Sequence, residues 1–308
     1  MKKLWVIFGV LSTSSFFTNL SGQVHSLAVK DFSYSLGYTY REDQLNWNIA
    51  GANDVPNILS ELKWDDLRIN QVTFAATLTT CSHLYFRGYA DYGRIFHGKN
   101  RDSDYIASDR QEEFSRALAE AGRGEVFDLS AGIGYQWSWK CDKWRLAPLV
   151  GLSWQEQHLR MFDGRQVIPI VEPINDLHSS YKTRWWGPWI GVDLTGQIYS
   201  KLSLFASFEY HWVPYQAKGH WNLRDDFFNE FKHSANGRGW LAQGGLNYNI
   251  CGNWSMTFLT SYQDWYANNG THTIRVLNGD LEAVKVKTRL NEVNWRSFQV
   301  SFLVTYCY

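Results

Sequence analysis

Two polar stretches of this 308-residue chain carry side chains that can do chemistry. Asp102 and Asp104 are separated by one residue and followed by Tyr105, and His220 stands directly before Trp221 in a later stretch. A pair of carboxylates and a histidine can hold a water molecule, take its proton and return it to a leaving group. The same residues also occur as solvated acids and ordinary histidines of surface loops, so both interpretations stay open.

The four cysteines are a second candidate for chemistry. They stand at Cys81, Cys141, Cys251 and Cys307. None belongs to a Cys-x-x-Cys pair, and no histidine lies beside them at metal-ligand spacing, so the pattern argues against a zinc site. We expect neither a metal nor a cofactor.

The first 26 residues predict a secretory signal peptide. Lys2 and Lys3 form a basic start, residues 4–11 form a short apolar core, and cleavage fits between Gly22 and Ser26. The segment is too short and wrongly flanked for a membrane-spanning helix. We therefore expect one domain, at 27–308, in an exported protein.

The composition of the rest indicates a membrane-interface protein. Aromatic residues make up 17% of the chain, including 16 Trp, and the formal net charge is zero. Tryptophan and tyrosine at this density are typical of the interfacial girdles of outer-membrane barrels. No run of 18 apolar residues predicts a spanning helix, and the neutral charge gives no indication of a nucleic-acid partner.

Alternating apolar and polar residues predict transmembrane β-strands. At the C-terminus Phe298, Val300, Phe302 and Val304 share one face, and the chain stops on an aromatic residue, Tyr308. Ten segments read in this way, some of them irregularly: 32–41, 57–79, 82–97, 127–139, 144–158, 186–197, 202–212, 240–250, 254–263 and 297–308.

The connections between these segments distinguish a membrane barrel from a soluble β-sandwich, which also alternates. Four short turns, near 79–83, 140–143, 199–201 and 249–253, alternate with five long polar loops, near 42–57, 97–125, 159–183, 216–238 and 266–291. Outer-membrane barrels have short periplasmic turns and long extracellular loops. The sequence therefore predicts an all-β fold, a ten-stranded antiparallel transmembrane β-barrel in the bacterial outer membrane. Within the second loop, residues 110–120 fit either a short helix or a solvated loop, and we prefer the loop.

This topology places all four cysteines at the periplasmic rim, in a compartment that permits disulfides. Cys251–Cys307 and Cys81–Cys141 are the intramolecular pairs that the topology predicts. Cross-links to other envelope proteins are the alternative.

The predicted strand number limits the function. General porins use 16–18 strands, and eight already fill a barrel with side chains, so ten strands make a poor open pore. We therefore place the function in the extracellular loops or in the cleft at their base.

In the order of its short motifs, the chain resembles the omptin family of outer-membrane proteases. The motifs are Ser35-Leu36-Gly37, Gln44-Leu45-Asn46-Trp47, Gly187-Pro188-Trp189-Ile190-Gly191 and Phe208-Glu209-Tyr210. Residues 57–64 also resemble a stretch of omptin-like barrels from chlamydia-related bacteria. The resemblance covers most of the chain at low identity.

The resemblance implies a catalytic set at the extracellular rim. Asp102 and Asp104 match the Asp-x-Asp pair of omptins, and His220 matches their histidine. Lys218 stands where the family has the aspartate that orients this histidine, and a lysine opposes protonation of the imidazole. Asp225 and Asp226 could replace that aspartate only in a rearranged loop.

Two functions of different class follow. One is an omptin-like aspartic-type endopeptidase that requires lipopolysaccharide, as the resemblance implies. The other is a non-enzymatic barrel that acts as an adhesin, a structural envelope protein or a narrow channel. In either case we expect outer-membrane lipid and lipopolysaccharide as partners, peptide or host-surface ligands at the loops, and a monomer.

Overall fold

Long antiparallel strands form almost the whole of the computed structural model, which describes residues 28–224, 228, 230–277 and 283–308. The predicted signal peptide, Asp225 and Asp226 lie outside these residues. A single 3₁₀ turn, Ala52–Asp54, is the only helical element among them. The strands are β1 Val29–Ile49, β2 Ser60–Thr80, β3 Leu84–Ala107, β4 Gln111–Glu120, β5 Gly124–Tyr135, β6 Trp137–Trp139, β7 Trp144–Ile168, β8 Glu172–Tyr199, β9 Leu202–His220, β10 Glu230–Cys251, β11 Trp254–Leu277 and β12 Ala283–Cys307.

The twelve strands close into a ring of ten. β4, β5 and β6 follow one another along one position of the ring, between β3 and β7. β1 closes the ring against β12, in register from Ser33 opposite Cys307 to Ile49 opposite Leu290. The predicted ten-stranded antiparallel barrel is confirmed.

The two ends of the barrel differ. Both termini of the barrel and the four short turns lie at one end, which is the periplasmic end of an outer-membrane barrel. No helix among the described residues is long and apolar enough to cross a membrane.

Most of the predicted extracellular loop residues belong to strands, which corrects the sequence prediction. The reason is that the apolar face of each strand changes sides at the membrane boundary. On β1, Leu36 and Tyr38 are 57% and 49% exposed on the outer, lipid-facing side, whereas Leu45 and Trp47 are buried inside. Beyond the lipid, water surrounds the outer wall, so polar residues face outward and apolar residues fill the interior.

Residues 111–120 form a strand, so neither the helix nor the loop predicted for this segment is present. β4 pairs with β3 on one side and with β7 on the other. It extends the barrel wall beyond the membrane, and these pairings satisfy backbone groups that an isolated helix would satisfy internally. The alternating charges of the segment therefore belong to a solvated strand.

Within the membrane, buried ion pairs cross the interior. Arg41 is fully buried, with its guanidinium 2.7 Å from both carboxylate oxygens of Asp43 and 2.6 Å from Asp128. Gln157 donates to the same Asp43 at 2.6 Å. A buried charge survives only when it is paired in this way.

Above these ion pairs the interior becomes apolar. Trp185, Trp265 and Trp295 are wholly buried and pack together, with the Trp265 and Trp295 rings stacked at 5.3 Å. The narrow interior that the strand number predicts is therefore occupied by side chains across this section.

Neither of the two predicted disulfides is present in the structure. All four cysteines are free and exposed. Cys251 pairs with Trp254, and Trp254 pairs with Tyr306, so the whole of β11 separates Cys251 from Cys307. Two strand spacings are about 10 Å, whereas a disulfide needs Cα atoms about 5.5–6 Å apart. Cys81 and Cys141 occupy turns that are also two ring positions apart.

Candidate functional site

The predicted aspartate pair lies near the extracellular end of β3, on a strand and not in a loop. Asp104 is opposite Ser60 of β2 and Ser115 of β4 in the register. Asp102 and Asp104 are two residues apart on a strand, so their side chains share one face. Ser60 and Trp221 are polar neighbours of Asp102, and Ser60 and Ser115 are polar neighbours of Asp104; each of them favours the charged form of its carboxyl group.

Burial gives this pair its electrostatic character. The Oδ1 atom of Asp102 is shut off from solvent and has no hydrogen-bond partner among the described residues. Burial, together with the negative charge of Asp104, raises the pKa of Asp102 to about 8, and burial also raises the pKa of Asp104. The charge of Arg224 opposes both shifts. At neutral pH the pair therefore retains a proton, as two carboxyl groups in one enclosed site do.

Trp221 occupies the space opposite the aspartates. Its indole is a polar neighbour of Asp102, and its ring packs edge-on against Phe231 at 4.7 Å and against Tyr181 at 6.3 Å. Tyr181 in turn stacks on Trp64 at 5.1 Å. An aromatic cluster therefore lies beside the carboxyl pair, in the part of the cleft where a second catalytic wall is expected.

His220 faces away from this cleft. Along the end of β9, Ala217 and Gly219 are buried whereas Lys218 and His220 are exposed. The exposed positions continue the face of Trp212, which is 46% exposed on the lipid side. His220 is therefore on the outer wall, opposite Ser180 of β8 and Glu230 of β10 in the register, and the structure does not bring it to the aspartates.

Lys218, two residues before His220, forms an ion pair on the same outer wall. Its Nζ lies 2.6 Å from Oε1 of Glu230. This hydrogen bond with Lys218 lowers the pKa of Glu230, and the charge of His220 acts in the same direction. The three side chains form a solvated surface group with no described contact to Asp102 or Asp104.

A buried chain of tyrosines and histidines lies on the other side of the aromatic cluster, and sequence patterning did not find it. The Tyr181 hydroxyl is 2.7 Å from the Tyr215 hydroxyl and 2.7 Å from Nδ1 of His233. Nε2 of His233 is 2.8 Å from Nδ1 of His272. The sequence signal that could have revealed it is the alternation of β10 beyond the membrane. There the apolar face points inward, so His233 lies on the same buried face as Phe231.

Burial keeps these two imidazoles neutral. It lowers the pKa of His272 to about 4 and lowers the pKa of His233, with the charge of His272 acting in the same direction. In a hydrogen bond between two neutral rings one nitrogen donates and the other accepts. No group of three or more His, Cys, Asp or Glu among the described residues is placed to hold a metal ion.

The outer wall beyond the membrane carries a basic groove of about 760 Å³ along β8–β12. The cations Lys232, Arg275, Lys285 and Lys287 that line it form no ion pair within the described part of the chain. The groove also contains Lys182 and Arg184, both paired with Glu156, and Lys218, paired with Glu230. We call this set of seven cations the basic groove.

Comparisons with known proteins agree with the fold. The model of a family described as "Protochlamydia outer membrane protein" (Pom) matches residues 35–308. The crystal structure of the outer membrane protease OmpT from Escherichia coli is similar with a TM-score of 0.75 and 12% identity, over 92% of this chain and 99% of OmpT. The translocator domain of the autotransporter NalP from Neisseria meningitidis gives a TM-score of 0.38 at 13% identity, over 89% of this chain and 88% of that one. No curated protein sequence matches the chain. The likeness to OmpT shows an omptin-like fold alone.

Proposed function

The chain belongs to the Protochlamydia outer membrane protein family, and from this premise we propose that it is a non-enzymatic structural protein of the outer membrane, with the basic groove as its contact to lipopolysaccharide. Its location in the bacterial outer membrane and its omptin-like fold are the ground for this proposal. The structural role and the contact to lipopolysaccharide are our proposals.

One observation carries the non-enzymatic part: the side chain opposite Asp102 is the indole of Trp221, and the imidazole of His220 is on the outer wall. An indole N–H donates only and cannot accept a proton from water. Peptide hydrolysis by a bound water needs a base within hydrogen-bond reach of that water. The raised pKa of Asp102 keeps this carboxyl group protonated at neutral pH, so it is not available there to take a proton from water.

The buried side chains that cross the interior favour a structural role over a channel. Arg41 and its two carboxylate partners lie buried in the membrane section, and the tryptophans above them are wholly buried. Passage of a solute would require these ion pairs to separate inside the barrel, which is costly.

The basic groove supports the lipid part of the proposal. Lipid A carries phosphate groups. Four cations that form no ion pair with any described residue favour a phosphate-bearing headgroup by Coulomb attraction and charge-assisted hydrogen bonds.

An activity assay tests the non-enzymatic part. The refolded protein is incubated with lipopolysaccharide and a library of basic peptides, and OmpT refolded in the same way serves as the positive control. We expect no cleavage above that of the Asp104→Ala variant. Cleavage by the wild type that Asp104→Ala abolishes would overturn this part of the proposal.

A binding assay tests the lipid part. The unfolding temperature in detergent is measured with lipopolysaccharide and with the same lipid after removal of its phosphates. We expect stabilisation by the phosphorylated lipid only, and its loss in the Lys232→Gln/Lys285→Gln/Lys287→Gln variant. The variant Lys140→Gln/Lys143→Gln, changed at the exposed periplasmic rim, is the control. Equal stabilisation of both variants would contradict the assignment.

Endopeptidase activity stays as a second candidate because of the aspartate pair. Two enclosed carboxyl groups that share a proton can act as acid and base without a histidine. Cleavage that requires Asp102 and Asp104 but is unchanged in His220→Ala would establish this alternative.

A further inference from the structure

The interior of the membrane section carries an excess of negative charge. In the described part of the chain its buried cations are Arg41 and Arg87, the latter with a side chain 9% exposed. The buried carboxylates around them are Asp43, Asp91, Asp128, Asp193 and Glu209. His211, 3.0 Å from Glu209, adds a positive charge only when it is protonated. Two cations against five carboxylates leave three uncompensated negative charges, or two if His211 is protonated.

Asp91 is the carboxylate that these cations do not pair. Each of the other four lies within 2.8 Å of Arg41 or Arg87. Asp91 is only 6% exposed and forms no ion pair with any described residue. Its Oδ1 atom is shut off from solvent and has no hydrogen-bond partner there, and the same holds for Oδ1 of Asp128. Because a buried carboxylate without a partner is costly, this position requires a compensating charge.

The strand register brings the two carboxylates together. Asp91 of β3 is directly opposite Asp128 of β5. Side chains in this relationship have Cβ atoms about 4.5–5.5 Å apart, and like charges at that distance repel each other. Both aspartates line one cavity of about 150 Å³. An ion between them would satisfy both unpaired oxygens and remove the repulsion.

The other walls of this cavity supply neutral oxygen atoms. Amide and hydroxyl side chains of four further strands line it: Gln243, Gln263, Gln299, Thr73, Ser261 and Ser301. Neither histidine nor cysteine is among the described residues that line it, which argues against zinc or copper. Carboxylate, amide and hydroxyl oxygens are the ligands of a hard cation, and Ca²⁺ takes about six to eight of them in a flexible geometry.

We propose that this cavity binds one divalent cation, calcium in preference to magnesium, between Asp91 and Asp128. Water in the cavity donates hydrogen bonds but leaves the charge excess unchanged, and a proton on Asp91 removes one negative charge. A divalent cation removes two. Mg²⁺ demands a near-ideal octahedral geometry and sheds its water reluctantly, so an enclosed site with many neutral oxygens favours Ca²⁺.

The bound cation connects opposite walls of the barrel. Asp91 and Asp128 belong to β3 and β5, whereas Gln243, Gln263 and Gln299 belong to β10, β11 and β12. The cation therefore stabilises the closed ring from inside. This inference goes beyond the proposed function, and it depends neither on the basic groove nor on the aspartate pair at the extracellular end.

A binding measurement tests the site directly. The unfolded chain is stripped of metal with EDTA, refolded in detergent without lipopolysaccharide and dialysed against radioactive calcium. We expect one ion per chain that a tenfold excess of Mg²⁺ does not displace, and an affinity at least tenfold weaker in Asp91→Asn. No bound calcium in the wild type, or equal affinity in Asp91→Asn, would overturn the proposal.

Asp102→Asn/Asp104→Asn is the matched control, because it removes two enclosed carboxyl groups at the extracellular end. This variant should bind calcium as the wild type does. Calcium that is lost in the control and kept in Asp91→Asn would place the ion at the extracellular pair, which would contradict the assignment.

Thermal unfolding provides an independent measurement. Calcium should raise the unfolding temperature of the wild type by several degrees and EGTA should reverse the effect, whereas Asp91→Asn should respond to neither. Heat-modifiable mobility shows that each variant is folded. If Asp91→Asn does not refold, Asp128→Asn, which keeps an oxygen acceptor for Arg41, replaces it. A wild type that is indifferent to calcium and EGTA would show that a proton neutralises Asp91 and that the proposal is wrong.

Discussion

Lys218 Nζ lies 2.6 Å from Glu230 Oε1 on the outer wall of the barrel. The residue at the position where the omptin resemblance expects an orienting aspartate is thus paired on the surface, and His220 shares its face. This site therefore differs from an omptin site in the direction of the side chain as well as in residue type, because Trp221, the residue after the end of β9, lies beside the aspartates and His220 does not.

The buried carboxyl of Asp102 predicts a loss of stability as the pH rises. Because its pKa is raised to about 8, the folded state binds a proton more tightly than the unfolded state. Its contribution to the free energy of unfolding is full below about pH 4 and is lost as the pH rises towards 8. We expect the unfolding temperature of Asp102→Asn to fall less between pH 5 and pH 8 than that of the wild type.

Asp65→Asn is the matched control for this measurement, because Asp65 is exposed on the neighbouring strand β2. Equal pH slopes for Asp102→Asn and the wild type would show that the carboxyl is not enclosed.

The indole of Trp221 contributes to the site through its N–H group and through its ring contacts, and two variants separate these contributions. Trp221→Phe keeps a ring against Phe231 but removes the N–H donor, so the pKa of Asp102 should rise further. Trp221→Ala also removes the ring contacts and should lower the free energy of unfolding by roughly 2 kcal/mol, less than for a fully buried ring. Denaturant titrations at several pH values measure both effects, with the lipid-facing Trp212→Phe as control. An unchanged pH profile in Trp221→Phe would contradict an influence of the indole N–H on the pKa of Asp102.

The buried histidine pair predicts a pH dependence of opposite sign. Burial lowers the pKa of His272 to about 4, so the unfolded state binds a proton first. The stability held by the neutral ring is lost as the pH falls from about 6.5 towards 4. His272→Gln, which keeps hydrogen-bonding groups but does not titrate, should flatten the acid side of the stability curve. His83→Gln, in a periplasmic turn, should leave it unchanged; the same acid loss in both variants would refute the prediction.

Arg41 predicts a large effect on stability. Its removal in Arg41→Ala leaves Asp43 and Asp128 buried without their cation, which should cost about 3–5 kcal/mol. The exposed Arg160→Ala is the control. Urea titration monitored by heat-modifiable mobility measures the difference, and equal stability of the two variants would mean that the interior is hydrated and open.

The barrel was predictable from the sequence because lipid and lumen impose a strict alternation on β1 and β12. The upper third of each strand was not predictable by the same rule. Leu45 and Trp47 point inward where Leu36 and Tyr38 point outward, so a search for one apolar face assigned the continuation of β1 to a loop. The same inversion hid Tyr181 and His233.

The candidate site was predictable only in part. Asp102 and Asp104 share a face because of their spacing alone, so their proximity needed no tertiary information. The direction of the His220 side chain follows from the alternation of β9, which continues beyond the membrane. A motif match gives the position of the histidine in the sequence but not the face of the strand on which it lies. The free cysteines show the same limit, because strand order gives neighbouring turns but not the distance between them.

The most direct test of the account is the activity of Lys218→Asp. Cleavage of basic peptides is measured with lipopolysaccharide, against Asp104→Ala and Lys218→Asp/Asp104→Ala. If His220 faces the outer wall, restoring the aspartate cannot create a working pair, and we predict no cleavage above the Asp104→Ala background. Cleavage by Lys218→Asp that disappears in Lys218→Asp/Asp104→Ala would show that His220 reaches the cleft and would contradict the non-enzymatic account.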